Sequence, residues 1–210
     1  MAFEGFPFLI GWELTLACNQ RCRHCGAAAG VPRPNELTTA EALDLCEQFP
    51  PLLVREVEFT GGEPLLRPDW PEIATRLCRL GIAVRVLTNG LTLDAAAVRR
   101  LVEAGVAGVE VRLDGLRASH DRLRSLAGSF EAARDGIRRA LRAGLPVSVI
   151  TTVHADNIAD LPGMLSLLLG WGVRSWQLQP LFPVGRSRGD ETRSLDWLDG
   201  ARFGNFLSAW

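Results

Sequence analysis

The sequence predicts an α/β fold in which six parallel strands form a partial (β/α)6 barrel, an incomplete form of the TIM barrel. Three observations lead to this prediction. Strand-like and helix-like stretches alternate along the chain in six units. The connections between them are short, which favours parallel pairing through right-handed crossovers. Several strands are polar on one side, although the strands of a parallel sheet covered by helices on both faces are apolar on both sides.

The predicted strands are short stretches rich in Val, Leu, Ile or Thr, as β-strands commonly are. In chain order they are Gly11 to Leu16, Val54 to Thr60, Ala83 to Thr88, Gly108 to Leu113, Val147 to Val153 and Ser175 to Gln179. Six such units suit either an open doubly wound sheet or a curved, incomplete barrel.

The predicted helices between the strands have recognisable ends. Thr38 with Glu41 predicts a capping box before the first helix, and Asp69 with Glu72 predicts another before the second, which ends at Gly81. The remaining helices are predicted at about Asp94 to Ala104, Ser129 to Gly144 and Leu161 to Leu169. The segment Leu116 to Gly128 is predicted to be a long loop, and WLDGARFGNFLSAW to be weakly helical at best.

The polar residues of the strands recur at every second position and therefore share one face of the sheet. They are Glu13 and Thr15; Glu56, Glu58 and Thr60; Glu110, Arg112 and Asp114; and Gln177 and Gln179. The lumen of a barrel that holds a polar ligand would enclose this face, so the barrel is favoured over the doubly wound sheet. A few solvated strand ends are the alternative explanation.

The charge balance and the N-terminal segment limit the classes of partner. The 210 residues carry 23 Lys and Arg against 24 Asp and Glu, a formal net charge of -1. Without a basic block, the chain has no electrostatic footprint for nucleic acid or for an anionic membrane surface. No apolar run approaches the roughly 20 residues of a membrane span, and MAFEGFPF is not a signal peptide. We therefore expect a cytoplasmic protein with small or neutral partners.

The length is close to that of a single domain with one core. Residues 1–186 are predicted to form that domain. The composition becomes polar and loop-like after Pro180, in PVGRSRGDETRS, and the sequence ends shortly afterwards. Residues 187–210 are therefore predicted to form a C-terminal tail, the start of an extension in a longer protein.

The five cysteines divide into two kinds. Cys46 and Cys78 occur singly on helical patterns, where a free cysteine behaves as a small buried apolar residue. Cys18, Cys22 and Cys25 lie together in TLACNQRCRHCGA, directly after the first predicted strand. A cytoplasmic protein keeps its thiols reduced, so the cysteines indicate a metal or a reactive thiol rather than disulfides, and the C-x3-C-x2-C spacing of this loop suits a soft metal.

The cysteine loop offers three ligands, which leave one iron of a 4Fe–4S cluster without a protein ligand. An open coordination position is what a catalytic metal site needs. A Cys3His zinc site with His24 as the fourth ligand is the alternative, but His24 is adjacent to Cys25, and neighbouring side chains rarely reach one tetrahedral ion. An electron-transfer iron–sulfur protein would need a fourth cysteine near the loop, and the sequence has none there.

A second signal, EFTGGEPLLRPD, ends the second predicted strand. Gly61 and Gly62 let the backbone approach a ligand closely or adopt dihedral angles closed to other residues. Glu63 adds a carboxylate that suits an ammonium group. By itself this turn predicts a helix lead-in as readily as a site.

Together these segments resemble the radical S-adenosylmethionine (SAM) enzymes. The resemblance extends from about Trp12 to Arg186, nearly the whole chain. Besides the cysteine loop, the segments that carry it are Gly61-Gly62-Glu63-Pro64, Thr88-Asn89-Gly90, Leu113-Asp114-Gly115, His120-Asp121 with Arg124, Gly128-Ser129-Phe130, and Pro183, Gly185 and Arg186. The fold that this family implies is a partial (β/α)6 barrel, in agreement with the count of six units.

The resemblance implies a role for each matching residue, although it singles out no catalytic residue. Cys18, Cys22 and Cys25 would bind three irons of a 4Fe–4S cluster, while the amino and carboxylate groups of SAM chelate the fourth. The implied cofactor-binding residues are Glu63 with the backbone of Gly61 and Gly62, for the SAM ammonium group; His24, where the family usually has an aromatic residue near the adenine; Arg124, for the SAM carboxylate or ribose; and Asn89 and Asp114, which would line the same cavity.

One residue departs from the family pattern. The fourth strand of the family commonly reads Ser-Leu-Asp-Gly, whereas this chain has Arg112 in place of the serine. An arginine there would replace a hydroxyl contact to the SAM ribose, or pair with Glu110 or with a substrate carboxylate. His120 and His154 are expected to have structural roles, because a lone histidine needs a partner to be catalytic.

The resemblance also implies the chemistry. A reduced cluster would pass one electron to SAM, and the 5′-deoxyadenosyl radical would abstract hydrogen from a substrate in the lumen, while the protein orients the reactants and excludes water. The segments after the fourth and sixth strands resemble the SPASM-like subgroup, which matures peptides or cofactors. The implied partners are a small-molecule or peptide substrate and a reductase, flavodoxin or ferredoxin as electron donor. The competing hypothesis is a non-catalytic zinc-binding module.

Overall fold

The computed structural model describes residues 8–189 and 197–208. In them, six strands form one sheet whose neighbouring strands are all parallel and follow each other in chain order. The strands are β1 (Leu9–Thr15), β2 (Glu56–Gly61), β3 (Ala83–Thr88), β4 (Gly108–Arg112), β5 (Val147–Val153) and β6 (Ser175–Pro180). A doubly wound sheet would reverse its strand order at a switch point. The predicted partial barrel is therefore confirmed, and the doubly wound alternative is excluded.

Seven α-helices accompany the strands in the described residues, and five of them occur where the sequence predicts helices. They are α1 (Thr39–Gln48), α2 (Trp70–Arg79), α3 (Ala95–Glu103), α4 (Arg117–Arg124), α5 (Ser129–Arg142), α6 (Leu161–Trp171) and α7 (Trp197–Ser208). In this part of the chain, none of the helices has the length and apolar character needed to cross a membrane.

Two helices correct the sequence prediction. α4 occupies part of the predicted loop Leu116 to Gly128. The sequence does not predict this helix, because its buried side consists of His120, Leu123 and Arg124 and has no apolar periodicity. α7 is a regular helix of 12 residues where only a weak helix is predicted. Tertiary packing stabilises it, since the Phe206 ring lies edge-on to Trp176 of β6 with 6.0 Å between the centroids.

Side-chain hydrogen bonds at the helix starts confirm one predicted capping box and correct the other. Thr38 Oγ1 accepts from Glu41 N (3.3 Å), and Glu41 Oε2 accepts from Thr38 N (2.8 Å). Asp69 makes no capping bond. Its carboxylate accepts instead from Arg67 Nε (2.7 Å) and from Thr39 Oγ1 (2.7 Å), because a hydrogen bond from a charged guanidinium is stronger than one from a backbone N–H.

The face of the sheet that meets the helices is apolar. Seven side chains that point from the sheet towards the helices are 0% exposed: Val57, Phe59, Val84, Val86, Val109, Val111 and Val149. Cys46 belongs to this core, as predicted, and the half-buried Cys78 packs against it. Removal of this aliphatic surface from water provides the main driving force for folding.

The opposite face of the sheet is polar. Glu56, Glu58, Glu110 and Arg112 are half-buried there, and Arg85 Nε lies 3.0 Å from Glu56 Oε1. Right-handed crossovers place the helices of a sequentially ordered parallel sheet on one side. The polar face is therefore the lumen of the partial barrel, as the strand pattern predicts.

Candidate active site

The three clustered cysteines lie at the carboxyl ends of the strands, where barrel folds place their active sites. Their loop leaves β1 and closes at its base, where Gly30 N donates to Leu16 O (2.9 Å) and Cys18 N donates to Gly30 O (3.2 Å). Within the loop, Cys25 N donates to Cys22 O (3.3 Å). The structure thus brings Cys18, Cys22 and Cys25 to the wall of one cavity of about 360 Å³.

Most of the other expected site residues line the same cavity. The lining includes His24, Gly61, Gly62, Asn89 and Arg112, together with Gln20, Leu87, Thr152, Gln179, Leu181 and Phe182. Glu63, Asp114 and Arg124 are not part of the lining. A wider groove of about 820 Å³ lies between α1, α2 and α3, and no cysteine or histidine lines it.

The thiols and their neighbours do not form a site for a single metal ion in this structure. Among the described residues, no three Cys, His, Asp or Glu side chains converge closely enough to hold one metal ion. A tetrahedral zinc site requires that convergence, whereas the thiolates of a 4Fe–4S cluster each bind a different iron. His24 faces Asp114, with its Nε2 3.4 Å from Asp114 Oδ2. The geometry therefore does not support the Cys3His alternative.

Gly61 and Gly62 hold the end of β2 against the start of the cysteine loop. Gly62 N donates to Thr15 O (2.7 Å), and Glu63 N donates to Ala17 O (2.8 Å). A Cβ atom on Gly61 would lie 2.2 Å from Thr15 O, and one on Gly62 would lie 2.2 Å from Ala17 O. Gly61 also has a φ of +128°, which disfavours any side chain. Glycine is therefore required here for the close approach of two backbone segments.

The carboxylate of Glu63 faces the end of β3 rather than the cavity. It is 0% exposed and accepts from Thr88 Oγ1 (2.9 Å), Asn89 N (2.8 Å) and Leu65 N (3.2 Å). Burial raises its pKa to about 7 despite these hydrogen bonds. Glu63 thus organises the turns after β2 and β3, and the expected contact with a SAM ammonium group is not preformed.

The amide of Asn89 lies beside the first cysteine of the loop. Its Nδ2 donates to Asn19 Oδ1 (2.7 Å) and is 4.0 Å from Cys18 Sγ. Cys18 Sγ also accepts from Gln20 N (3.4 Å). Burial raises the pKa of the Cys18 thiol and, more deeply in the loop, that of Cys22, so each thiolate needs a positive partner or a metal.

Asp114 and Arg124 form a buried ion pair behind the cysteine loop. Arg124 Nε donates to Asp114 Oδ2 (2.8 Å), and Arg124 Nη2 is 2.5 Å from the same oxygen. The third guanidinium nitrogen, Nη1, lies 3.6 Å from Cys22 Sγ and 3.4 Å from Gln20 Oε1. In this structure Arg124 therefore faces a thiol. The sequence analysis expects Asp114 and Arg124 to line the cavity, but neither side chain does so, because the two charges pair with each other.

The charges around this pair set the ionisation of its neighbours. Burial alone would raise the pKa of Asp114, but Arg124 and His24 outweigh it and hold the pKa below its usual range. Burial lowers the pKa of His24 to about 3 and that of His120 to about 4. Both imidazoles are therefore neutral near pH 7, and Arg124 is the cation of the group.

His120 and His154 lie outside the cavity lining. His120 Nδ1 accepts from Asp114 N (3.0 Å) and so connects α4 to the end of β4. His154 Nδ1 accepts from Asp156 N (3.3 Å), and His154 N donates to Asn157 Oδ1 (2.9 Å). These contacts order the turns after β4 and β5, which agrees with the structural roles expected for both histidines.

Arg112 is a cation on the cavity wall. Its Nη1 donates to Gln179 Oε1 (3.1 Å), the one side-chain hydrogen bond that it makes among the described residues. Glu110 lies 3.8 Å from Arg85 instead, so the expected pair between Arg112 and Glu110 does not form. Burial lowers the pKa of Arg112, and the nearby Asp114 charge opposes that effect. Arg112 remains available to an anionic group in the cavity.

The turn after β6 makes a contact that the sequence motifs do not reveal. Arg186 Nε donates to Cys22 O (2.9 Å), its Nη1 to Ala29 O (2.8 Å) and its backbone N to Cys25 O (3.0 Å). β1 and β6 are the two edges of the sheet, so this turn joins the open sides of the barrel at the cysteine loop. In the sequence, the only indication of this contact is the Gly-Arg pair after the last strand. The sequence does not reveal the partner of Arg186, because Cys22 is 164 residues away.

The donor set of the cavity fits the cofactors implied by the sequence. Three thiols lie on one wall, and a buried guanidinium faces the thiol of Cys22. Gln20 Nε2 and His24 Nδ1 are buried without a hydrogen-bond partner, although most buried polar atoms in proteins have one. A polar ligand in the cavity would provide such partners.

Sequence comparison finds similar proteins of known family. The model of the radical SAM superfamily matches residues 12–168. The AdoMet-dependent heme synthase of Oleidesulfovibrio alaskensis is 35% identical over 188 residues, which are 88% of this chain and 48% of the relative. The mycofactocin maturase MftC of Mycobacterium ulcerans is 32% identical over 184 residues, 86% of this chain and 49% of the relative. The chain thus spans about half the length of these relatives.

Solved structures share the fold at low sequence identity. Streptococcus suis SuiB bound to S-adenosylmethionine has a TM-score of 0.84 and 14% identity, with 97% of this chain and 47% of that chain covered. The structure of anSMEcpe with bound AdoMet has a TM-score of 0.80 and 18% identity, with 96% of this chain and 59% of that chain covered. At these identities the similarity shows the fold alone.

Proposed function

Because the chain belongs to the radical SAM superfamily, we propose that it forms the catalytic core of an enzyme that binds a 4Fe–4S cluster, cleaves SAM reductively and abstracts hydrogen from a substrate. The observation that carries this proposal is that Cys18, Cys22 and Cys25 line one cavity at the carboxyl ends of the strands. When bound there, the cluster supplies the electron that breaks the C5′–S bond of SAM and yields the 5′-deoxyadenosyl radical.

The residues of the chain would hold and orient these reactants. The three thiolates would each bind one iron, and the fourth iron would be left for the amino and carboxylate groups of SAM. Gly61 and Gly62 line the cavity, where their backbone would contact the methionine part of SAM. The apolar side chains of Leu87 and Leu181, which also line the cavity, would reduce the access of water to the radical.

We propose a cofactor precursor or a peptide as the class of substrate. The heme synthase relative supports a tetrapyrrole precursor, and the mycofactocin maturase relative supports a peptide. Arg112 on the cavity wall favours a substrate with carboxylate side chains, because a guanidinium binds carboxylates in a bidentate geometry. Tetrapyrrole precursors have such groups, so we place this class first.

Each cleavage of SAM consumes one electron, so the proposal includes an external donor. A reductase, a flavodoxin or a ferredoxin would serve, and the cytoplasm, which keeps the five cysteines reduced, is the compartment that we propose. We propose no nucleic-acid or membrane partner, because the formal net charge is -1 and no basic block is present.

Anaerobic reconstitution with iron and sulfide tests the radical SAM function. The wild-type chain is expected to assemble a 4Fe–4S cluster and to form 5′-deoxyadenosine from SAM and dithionite. Cys22→Ala is expected to lose both, whereas Cys78→Ala, outside the loop and bonded to Gly105 O, keeps both. A chain that takes up zinc and no iron, or an unchanged chromophore in Cys22→Ala, would falsify the proposal.

Transfer of deuterium into 5′-deoxyadenosine tests the substrate class. Deuterated tetrapyrroles with propionate groups and deuterated peptides encoded beside the gene are incubated with SAM and reductant, and the product is analysed by mass spectrometry. Transfer from a tetrapyrrole supports the first class, and transfer from a peptide supports the second. Cleavage of SAM with no transfer from either contradicts both classes and leaves the radical SAM function in place.

A further inference from the structure

The ion pair behind the cysteine loop has no part in the chemistry described so far. Asp114 is 0% exposed, Arg124 is 5% exposed, and neither lines the cavity. The desolvation of two such charges costs free energy that their attraction often fails to offset. The position of this pair, directly behind a thiol of the cysteine loop, therefore points to a role other than stability.

The pair is polarised towards Cys22. Arg124 Nε donates to Asp114 Oδ2, and Nη2 forms an ion pair with the same oxygen. The remaining nitrogen, Nη1, faces Cys22 Sγ at 3.6 Å. The other carboxylate oxygen, Asp114 Oδ1, accepts from Thr152 N (2.8 Å) on β5. The positive end of the pair is thus the end beside the sulfur.

We propose that the Arg124–Asp114 pair sets the reduction potential of the 4Fe–4S cluster, through a charged N–H···S hydrogen bond from Arg124 to the thiolate of Cys22. This inference rests on the proposed function. Reduction transfers one electron from an external donor to the cluster, so the cluster and its three thiolates together become more negative by one charge. A cation at the sulfur stabilises the reduced form more than the oxidised form, and hydrogen bonds to sulfur and local charge are known determinants of such potentials.

The other cations near the loop are placed differently. Arg186 donates to the backbone carbonyls of Cys22, Ala29 and Cys25 rather than to a thiol. Arg112 donates to Gln179 on the cavity wall. Arg124, in contrast, donates from Nη1 to Cys22 Sγ. Arg124 is thus a positioning and tuning residue, not a ligand.

Opposite effects of the two partners test this role, because a purely structural role would not reverse its sign. Arg124→Gln removes the cation, and the ratio of reduced to oxidised cluster at a fixed potential is expected to fall at least tenfold, equal to about 59 mV for a one-electron couple. Asp114→Asn leaves the cation without its counter-charge, and the ratio is expected to rise. Redox titration of the reconstituted full chain, followed by electron paramagnetic resonance, measures both.

Two further variants make the result decisive. Arg122→Gln is the matched control, because Arg122 is exposed on the same helix, and no shift is expected. The double variant Arg124→Gln/Asp114→Asn replaces both charges by neutral amides, so no unpaired charge is buried. It can therefore be measured even if a single variant does not fold. It is expected to lower the ratio, but less than Arg124→Gln does. An unchanged potential in Arg124→Gln or in the double variant, or shifts of equal sign in the two single variants, overturns the proposal.

Binding of SAM distinguishes this inference from the role in SAM binding that the family resemblance implies for Arg124. Equilibrium binding of SAM to reconstituted Arg124→Gln is expected to stay within about twofold of wild type. A large loss of affinity with an unshifted potential identifies Arg124 as a SAM ligand and overturns the inference. Failure of the wild-type chain to assemble any 4Fe–4S cluster is a different result, which contradicts the proposed function itself.

Discussion

Two charged regions of the molecule differ in how completely their charges are matched. Behind the cysteine loop, Asp114 and Arg124 are almost completely buried and satisfy each other. In the lumen, the charged ladder, which we define as Glu56, Glu58, Arg85, Glu110 and Arg112, is half-buried. Two of its carboxylates adjoin, and burial together with the Glu110 charge raises the pKa of Glu58 to about 7.

The contrast shows two uses of charge in one fold. Behind the loop, charge is paired and directed by several hydrogen bonds, which suits a site that must keep its geometry while an electron arrives. In the lumen, like charges stand together and Arg112 has a neutral partner, Gln179. Such an unbalanced surface is suited to a ligand that provides the missing charges. The following predictions test this contrast.

Loss of Arg124 is expected to have the largest effect. Arg124→Met leaves the Asp114 carboxylate buried without its cation, and breaking a buried pair in this way costs about 3–5 kcal/mol. Urea denaturation of the metal-free chain measures the free energy of unfolding. Arg122→Met, on the exposed side of the same helix, should stay within about 0.5 kcal/mol of wild type. Equal losses of unfolding free energy in the two variants would contradict a stabilising role of Arg124 beside Asp114.

Loss of Arg186 is expected to have a smaller effect on stability but a clear effect on the loop. Arg186→Ala removes the side-chain hydrogen bonds to Cys22 O and Ala29 O, at a cost of about 1–3 kcal/mol. The reconstituted variant should lose iron to a chelator faster than wild type, because fewer hydrogen bonds hold the cysteine loop to the turn after β6. Arg188→Ala, an exposed neighbour, should release iron at the wild-type rate. Similar rates in both variants would contradict this role.

Loss of Arg112 is expected to affect binding more than folding. Arg112→Ala should change the free energy of unfolding by less than about 1 kcal/mol, because its partner is a neutral amide. Affinity for a carboxylate ligand should fall about tenfold, on the order of 1.4 kcal/mol. If the ligand is SAM, its affinity falls while that of 5′-methylthioadenosine, which has no carboxylate, does not. If the ligand is the substrate, its KM rises and SAM affinity stays. No change in either would refute the assignment of Arg112 to ligand binding.

Glu58 is expected to produce the smallest effect, visible as a pH dependence. Its pKa of about 7 lies above the ordinary value of 4.5, so the folded chain holds this proton more tightly than the unfolded chain. The stability that Glu58 contributes is therefore complete below about pH 4.5 and is lost as the pH rises through about 7. Glu58→Gln should abolish that loss, a gain of ~1 kcal/mol over wild type near neutral pH after allowance for solvent screening.

Denaturation at about pH 4.5 and about pH 8 measures this difference between Glu58→Gln and wild type. The matched control is Glu103→Gln, which replaces an exposed carboxylate on α3. If the gain in unfolding free energy of Glu58→Gln over wild type does not grow with pH, the negative charges of the lumen carboxylates are already matched by cations.

Much of the fold could be predicted from the sequence because its signals are local. The six strands follow from short runs of branched residues, and the polar lumen follows from their alternation, which depends only on the period of a strand. Thr38 with Glu41 correctly predicts a helix start for the same reason. α4 escaped prediction because its buried side holds His120 and Arg124, whose burial depends on partners that are distant in the chain.

By itself, the sequence determined the barrel and the superfamily and predicted a metal-binding role for Cys18, Cys22 and Cys25, since spacing and periodicity are properties of neighbouring residues. Only the tertiary structure decided what the charged and glycine residues do. It directed Arg124 to a thiol 102 residues away and Arg186 to a carbonyl 164 residues away. The reason is physical: a buried charge takes whichever partner the packed chain brings within hydrogen-bond distance, and no local pattern encodes that distance.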